Sequence, residues 1–142
     1  MRRVLVVTTA LFIVIVLVVR VWAATPVKTM QGYWMGVDPV DGGDQRRSFV
    51  QQEDGSIFAL GRDSFLRLCD NSDRALISFD DARVVNKGVV ATDNFTLTCL
   101  NTGTVVLLKA RYELIDESLM IEHVTTQAGA EVQSMPLHRV SR

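Results

Sequence analysis

The stretch Phe95-Thr96-Leu97-Thr98-Cys99-Leu100-Asn101-Thr102-Gly103, continued by Thr104-Val105-Val106-Leu107-Leu108-Lys109-Ala110-Arg111-Tyr112-Glu113-Leu114-Ile115, decides the fold. In its second half Val106, Leu108, Ala110, Tyr112 and Leu114 fall on one side, while Lys109, Arg111 and Glu113 fall on the other. A period of two is that of an extended strand with one face in a core and one in water, as in an antiparallel sheet. The Asn-Thr-Gly between the two runs is turn chemistry, so the whole stretch reads as a hairpin.

The same pattern continues outward in both directions. Upstream, residues 48–52 and 56–60 flank Asp54-Gly55, whose glycine supplies the positive φ of a tight turn. Residues 74–79, 83–92, 119–124 and 131–140 add further strands, separated by Asp80-Asp81, Asp93-Asn94, Asp116-Glu117 and Ala128-Gly129. Pro136 has no backbone N–H and belongs at an edge or a bulge. The expected fold is all-β: an antiparallel up-and-down meander of about 8–10 strands that closes into a barrel, since closure removes exposed edges. No helix longer than about three turns is expected after residue 30.

An N-terminal hydrophobic leader helix precedes this domain. Arg2 and Arg3 form a positive start, residues 4–19 are apolar except for Thr8 and Thr9, and Val21-Trp22-Ala23 ends in a small residue. That is the form of a signal peptide over residues 1–23, leaving residues 24–142 as a single domain; the alternative is an uncleaved membrane anchor over residues 4–24. The chain is then exported, either secreted or held in the periplasm or cell envelope, with membrane contact only through residues 4–24. Without the three arginines of the leader, twelve Lys and Arg face sixteen Asp and Glu, a net charge of −4. A mildly acidic domain whose basic residues cluster only at Arg46-Arg47 argues against nucleic acid as a partner. In an exporting compartment the only two cysteines, Cys69 and Cys99, read as one disulfide.

Chemistry-bearing groups are sparse. Asp38, Asp41 and Asp44 are weak candidates for a metal ion, lacking the alternating spacing and terminal Glu of an EF-hand loop, so turn chemistry is the favoured reading. Arg62-Asp63-Ser64 and Asp70-Asn71-Ser72-Asp73-Arg74 read as solvated polar loops around Cys69, with a binding rim as the alternative. His123 and His138 are the only imidazoles and lie in no nucleophile elbow or zinc helix, so no catalytic residue and no cofactor are assigned. Asn94-Phe95-Thr96 matches a glycosylation sequon and reads as a turn entering a strand.

Gly32-Tyr33-Trp34 resembles the Gly-x-Trp signature that opens the first strand of lipocalins and their calycin relatives, and Arg139 stands near the C-terminus where those families lay a basic residue over the Trp ring. More broadly the chain is similar to small exported bacterial proteins. The resemblance implies a lipocalin-like barrel with Gly32, Trp34 and Arg139 closing one end, and a small lipophilic molecule entering from the other. The lipocalin Thr-Asp-Tyr motif is not in the sequence. Two expectations therefore stand: a non-catalytic barrel binding a small lipophilic ligand, or an envelope or secreted protein–protein interaction domain whose barrel is filled by its own side chains. The pairing of the cysteines is directly testable: mass spectrometry of non-reduced peptides should recover Cys69 linked to Cys99, and free thiols at both positions would refute the reading.

Overall fold

In a computed structural model of the chain, residues 30–64, 67–69 and 74–141 are described. Alternation of inward apolar and outward polar side chains produces eight strands: β1 (Gly32–Val37), β2 (Asp44–Gln51), β3 (Ile57–Asp63), β4 (Ala75–Asn86), β5 (Val89–Cys99), β6 (Val105–Leu114), β7 (Leu119–Thr126) and β8 (Glu131–Ser141). Each pairs antiparallel with its sequence neighbour, and β1 pairs with β8, so the meander closes into a barrel. Among the described residues the only helical element is a 3₁₀ turn at Arg67–Cys69. The leader, residues 1–23, lies outside the described residues, as do Asp70, Asn71, Ser72 and Asp73 of the expected polar loop.

The central hairpin forms as its alternation dictates, with Leu108, Ala110 and Tyr112 buried. Upstream of it the expectation needs correction. Residues 83–92 are not one strand: β4 runs through to Asn86, turns at Lys87-Gly88, and β5 begins at Val89. Gly88 at φ 74° takes the left-handed conformation that lets the chain reverse. Asp80-Asp81 and Asp93-Asn94 do not end strands either. They sit within β4 and β5 where the ladder is interrupted between Ser78↔Thr96 and Arg83↔Ala91. There Asp81 accepts hydrogen bonds from the Thr92 hydroxyl at 2.5 Å and from the Asn94 amide. Side chains thus hold the strands together where the backbones do not pair, while Phe79, Ala82 and Phe95 stay in the core.

The barrel closes along an unequal seam. β1 and β8 share three register pairs, Tyr33↔Ser141, Trp34↔Arg139 and Met35↔His138, with an irregularity between Tyr33 and Trp34. Pro136 lies beyond the last of these pairs, which is the local edge its missing donor requires. Gly36 fits against the β8 backbone there: a Cβ at this position would collide with the Pro136 carbonyl and the Leu137 side chain.

Side chains reinforce the seam. Trp34 is fully buried, donates from Nε1 to the Met30 carbonyl at 2.9 Å, and carries the Arg139 guanidinium 4.2 Å from its ring centroid. Arg139 also donates to the Gln31 and Glu117 carbonyls, at 2.5 and 2.6 Å. At the other end of the barrel Cys69 and Cys99 form a disulfide with Cα atoms 5.3 Å apart, tying the β3–β4 connection to the end of β5. Replacing a fully buried indole that organises a strand end leaves a large cavity. Trp34→Ala should cost about 3 to 5 kcal/mol, read as a lowered midpoint in chemical denaturation, and an unchanged midpoint would show that Trp34 does not anchor the seam.

Candidate functional site

The barrel interior combines an aromatic layer with a charged one. Phe49, Phe79, Phe95 and Tyr112 pack with ring centroids 5.0 to 6.2 Å apart. Beside them lies Arg47, fully buried, its guanidinium 5.6 Å from the Phe95 centroid. Strand alternation puts it there: in β2, Gln45, Arg47 and Phe49 face inward while Arg46 and Ser48 face out. The adjacent arginines, read together as a basic block, therefore have opposite fates.

Arg47 donates from Nε and Nη2 to the two carboxylate oxygens of Glu122 on β7, at 2.7 and 2.8 Å. Its Nη1 and Nη2 also donate to Asp63 on β3, the second at 3.1 Å. Gln45 joins through Nη2 at 3.2 Å, and Gln133 on β8 donates to the Gln45 side-chain oxygen at 2.7 Å. The Tyr112 hydroxyl is buried near Glu122 and Arg47 without completing a hydrogen bond.

Two carboxylates on one guanidinium leave the interior one negative charge in excess. At Asp63 burial dominates and pushes the carboxyl up to about 6 against the pull of Arg47, with the Glu122 charge adding a smaller push in the same sense as burial. Burial likewise raises the Tyr112 hydroxyl well above its ordinary value, with the neighbouring Glu122 charge acting in the same sense. Burial alone would lower Arg47, but Asp63 and Glu122 together hold it well above its usual range. Asp63 is thus no part of a solvated loop, which corrects the sequence expectation; its neighbour Ser64 faces Asp44 instead.

Trp34 and Arg139 meet at the seam, while Gly32 opens β1 in register with Phe49 of β2. Asp38, Asp41 and Asp44 do not converge on a cation. Asp38 accepts from the Val40 N–H at 2.7 Å and Asp41 from the Gly43 N–H at 2.8 Å, both two residues on, which is turn chemistry. Asp44 is held below the ordinary carboxylate range, first by its hydrogen bond from Ser64 and then by Arg46. Among the described residues no group of three or more His, Cys, Asp or Glu is placed to hold a metal ion. His123 Nδ1 lies 3.0 Å from the Ser134 hydroxyl across an exposed cross-strand pair. No hydrogen bond joins this imidazole to a carboxylate among the described residues.

On the outer wall, Arg46 and Arg62 stand directly opposite each other in the β2–β3 register. With Tyr33, Leu60 and Gly61 they line a groove of about 300 Å³. Comparison with protein-family models, with curated proteins and with solved structures returns no match for the chain.

The ion cluster makes stability depend on pH. Because the folded carboxyl of Asp63 binds its proton more tightly than the unfolded one, its contribution is fully present below about pH 4 and is lost as pH rises through about 6, a change on the order of 3 kcal/mol. Asp44, Asp54 and Asp116 are held low, chiefly by hydrogen bonds from Ser64, Ser56 and Ser118 respectively, and lose their contributions on the acid side. Melting temperature should therefore peak near pH 4 to 5 and decline toward pH 7. Asp63→Asn should flatten that decline, and a decline of undiminished slope would remove Asp63 as its origin.

Proposed function

We propose that the chain is an exported, non-catalytic β-barrel interaction domain, whose interior is filled by its own side chains and whose outer wall meets another envelope or secreted protein. The observation that carries this reading is the occupancy of the interior: Trp34, Arg47, Tyr112, Phe49 and Phe95 are all buried there, with Asp63 and Glu122 between them. An eight-stranded barrel is just wide enough inside to be filled in this way. A hydrogen-bonded ion cluster at its middle is also a poor lining for an apolar guest, because displacing any member would leave a buried charge unpaired. The disulfide between Cys69 and Cys99 supports export.

A second reading has its own support. The closed eight-strand meander and the Arg139 guanidinium over Trp34 are what a lipocalin-like barrel would have, and such a barrel would take a small lipophilic molecule from the end opposite Trp34. The two readings separate on one titration. With a fluorescent fatty acid, the filled barrel gives no saturable enhancement up to high micromolar concentration. Saturable uptake, lost when unlabelled fatty acid competes, would overturn the filled-barrel reading in favour of the ligand-binding one.

A further inference from the structure

The outer wall carries an uneven distribution of charge. One cross-strand row passes through Arg46, Arg62, Leu76, Thr98 and Val105, each the register partner of the next on strands β2 to β6. The neighbouring row passes through Ser48, Leu60, Ser78, Thr96 and Leu107. All ten positions lie on the outward face, and none is acidic, although the chain contains 16 Asp and Glu. On a domain of net negative charge this leaves a band with two arginines and an apolar shelf, bordered at the same outward parity by Asp44 on β2 and Asp80 on β4.

Three details give the wall direction. Like charges directly opposite in a ladder oppose strand pairing, yet Arg46 and Arg62 occupy such a pair. Asp44 bonds Arg46 at 2.8 Å and also feels the charge of Arg62, so one carboxylate stands against two guanidinium groups. Beside Arg62 in register stands Leu76, and Leu60 borders the same groove; both are about half exposed, at 49% and 52%. Tyr33 closes the groove on the β1 side, and Tyr and Arg are the side chains that most often anchor protein interfaces.

We infer that the wall from β2 to β6 docks an acidic, leucine-bearing segment of a partner protein, with Arg46 and Arg62 receiving its carboxylates and Leu60 and Leu76 its apolar side chains. This rests on the filled-barrel reading above and names the face and the partner's chemistry. A protein segment fits better than a lipid surface. The apolar residues lie flat on a strand wall, interleaved with the hydroxyls of Ser78, Thr96 and Thr98, and do not project as an apolar tip that could enter a bilayer. Those hydroxyls suit the peptide groups of an extended segment.

The test uses the whole domain and a fluorescein-labelled peptide of alternating Glu and Leu. Fluorescence anisotropy should show saturable binding that weakens with added salt. Arg62→Glu and Leu76→Asp should each reduce affinity at least about tenfold while leaving the melting temperature close to that of the parent, and Val132→Asp on the distant β8 wall should change nothing. Both substituted side chains are outward-facing, and a Glu at 62 would face Arg46, so folding should survive. No saturable binding below about millimolar peptide, or equal binding by the Arg62→Glu variant, overturns the inference. Binding of phosphatidylglycerol vesicles that is lost with the same two substitutions overturns it in favour of a lipid surface. A domain that takes up no fatty acid and binds no peptide loses this docking face but keeps the filled-barrel reading, whereas fatty-acid uptake removes the reading on which both stand.

Discussion

An arginine inside a β-barrel has to be answered by carboxylates, and much of this domain is arranged around how Arg47 is answered. Its guanidinium reaches Asp63 on β3 and Glu122 on β7, joining opposite sides of the barrel, while Gln45 and Gln133 extend the network to β8. Gly61 belongs to the same unit, since a Cβ at that position would press on the Arg47 side chain and the Arg46 carbonyl. A charged cluster of this kind specifies more than it stabilises. A slip of one residue in β2, β3 or β7 would turn its charge outward and strand the others in the core, so the cluster fixes register on three strands together.

The sequence pattern carries the architecture well because outward and inward residues alternate so strictly in β6, β7 and β8. It fails where polar residues sit inside strands for reasons of tertiary context. Asp80-Asp81 and Asp93-Asn94 look like turns, yet they bridge two long strands by side-chain hydrogen bonds at an irregular stretch. The true reversal, at Lys87-Gly88, lies inside a run of valines and was hidden by them. The ion cluster was invisible for a related reason. Arg47, Asp63 and Glu122 are distant in sequence, and each has charged or polar neighbours that make it look solvated. The parity of Phe49 and Val124, both inward-facing residues two positions from a cluster member, was the signal that could have found two of the three.

On the reading proposed above, a filled interior would move recognition to the outside. A closed barrel offers no free strand edge for another chain to extend, so a partner has only side chains and loops to bind. Along this wall the chemistry changes with height: Asp80 lies two residues beyond Ser78 on β4 at the same outward parity, so the acidic stretch of β4 and β5 borders the β2 to β6 rows. Charge of both signs on one side of the cylinder orients whatever lies along it.

The seam has a temporal meaning as well as a spatial one. Arg139 bonds a carbonyl 108 residues earlier in the chain, so the ring cannot shut until β8 has been delivered. Contacts of such long range form late, because the entropy of the intervening loop must be overcome first. Until then β1 has one unpaired edge, and on the export proposed above that edge would be open during transit. The cation over the Trp34 ring is thus a contact of the finished barrel, the latch on the last strand to arrive.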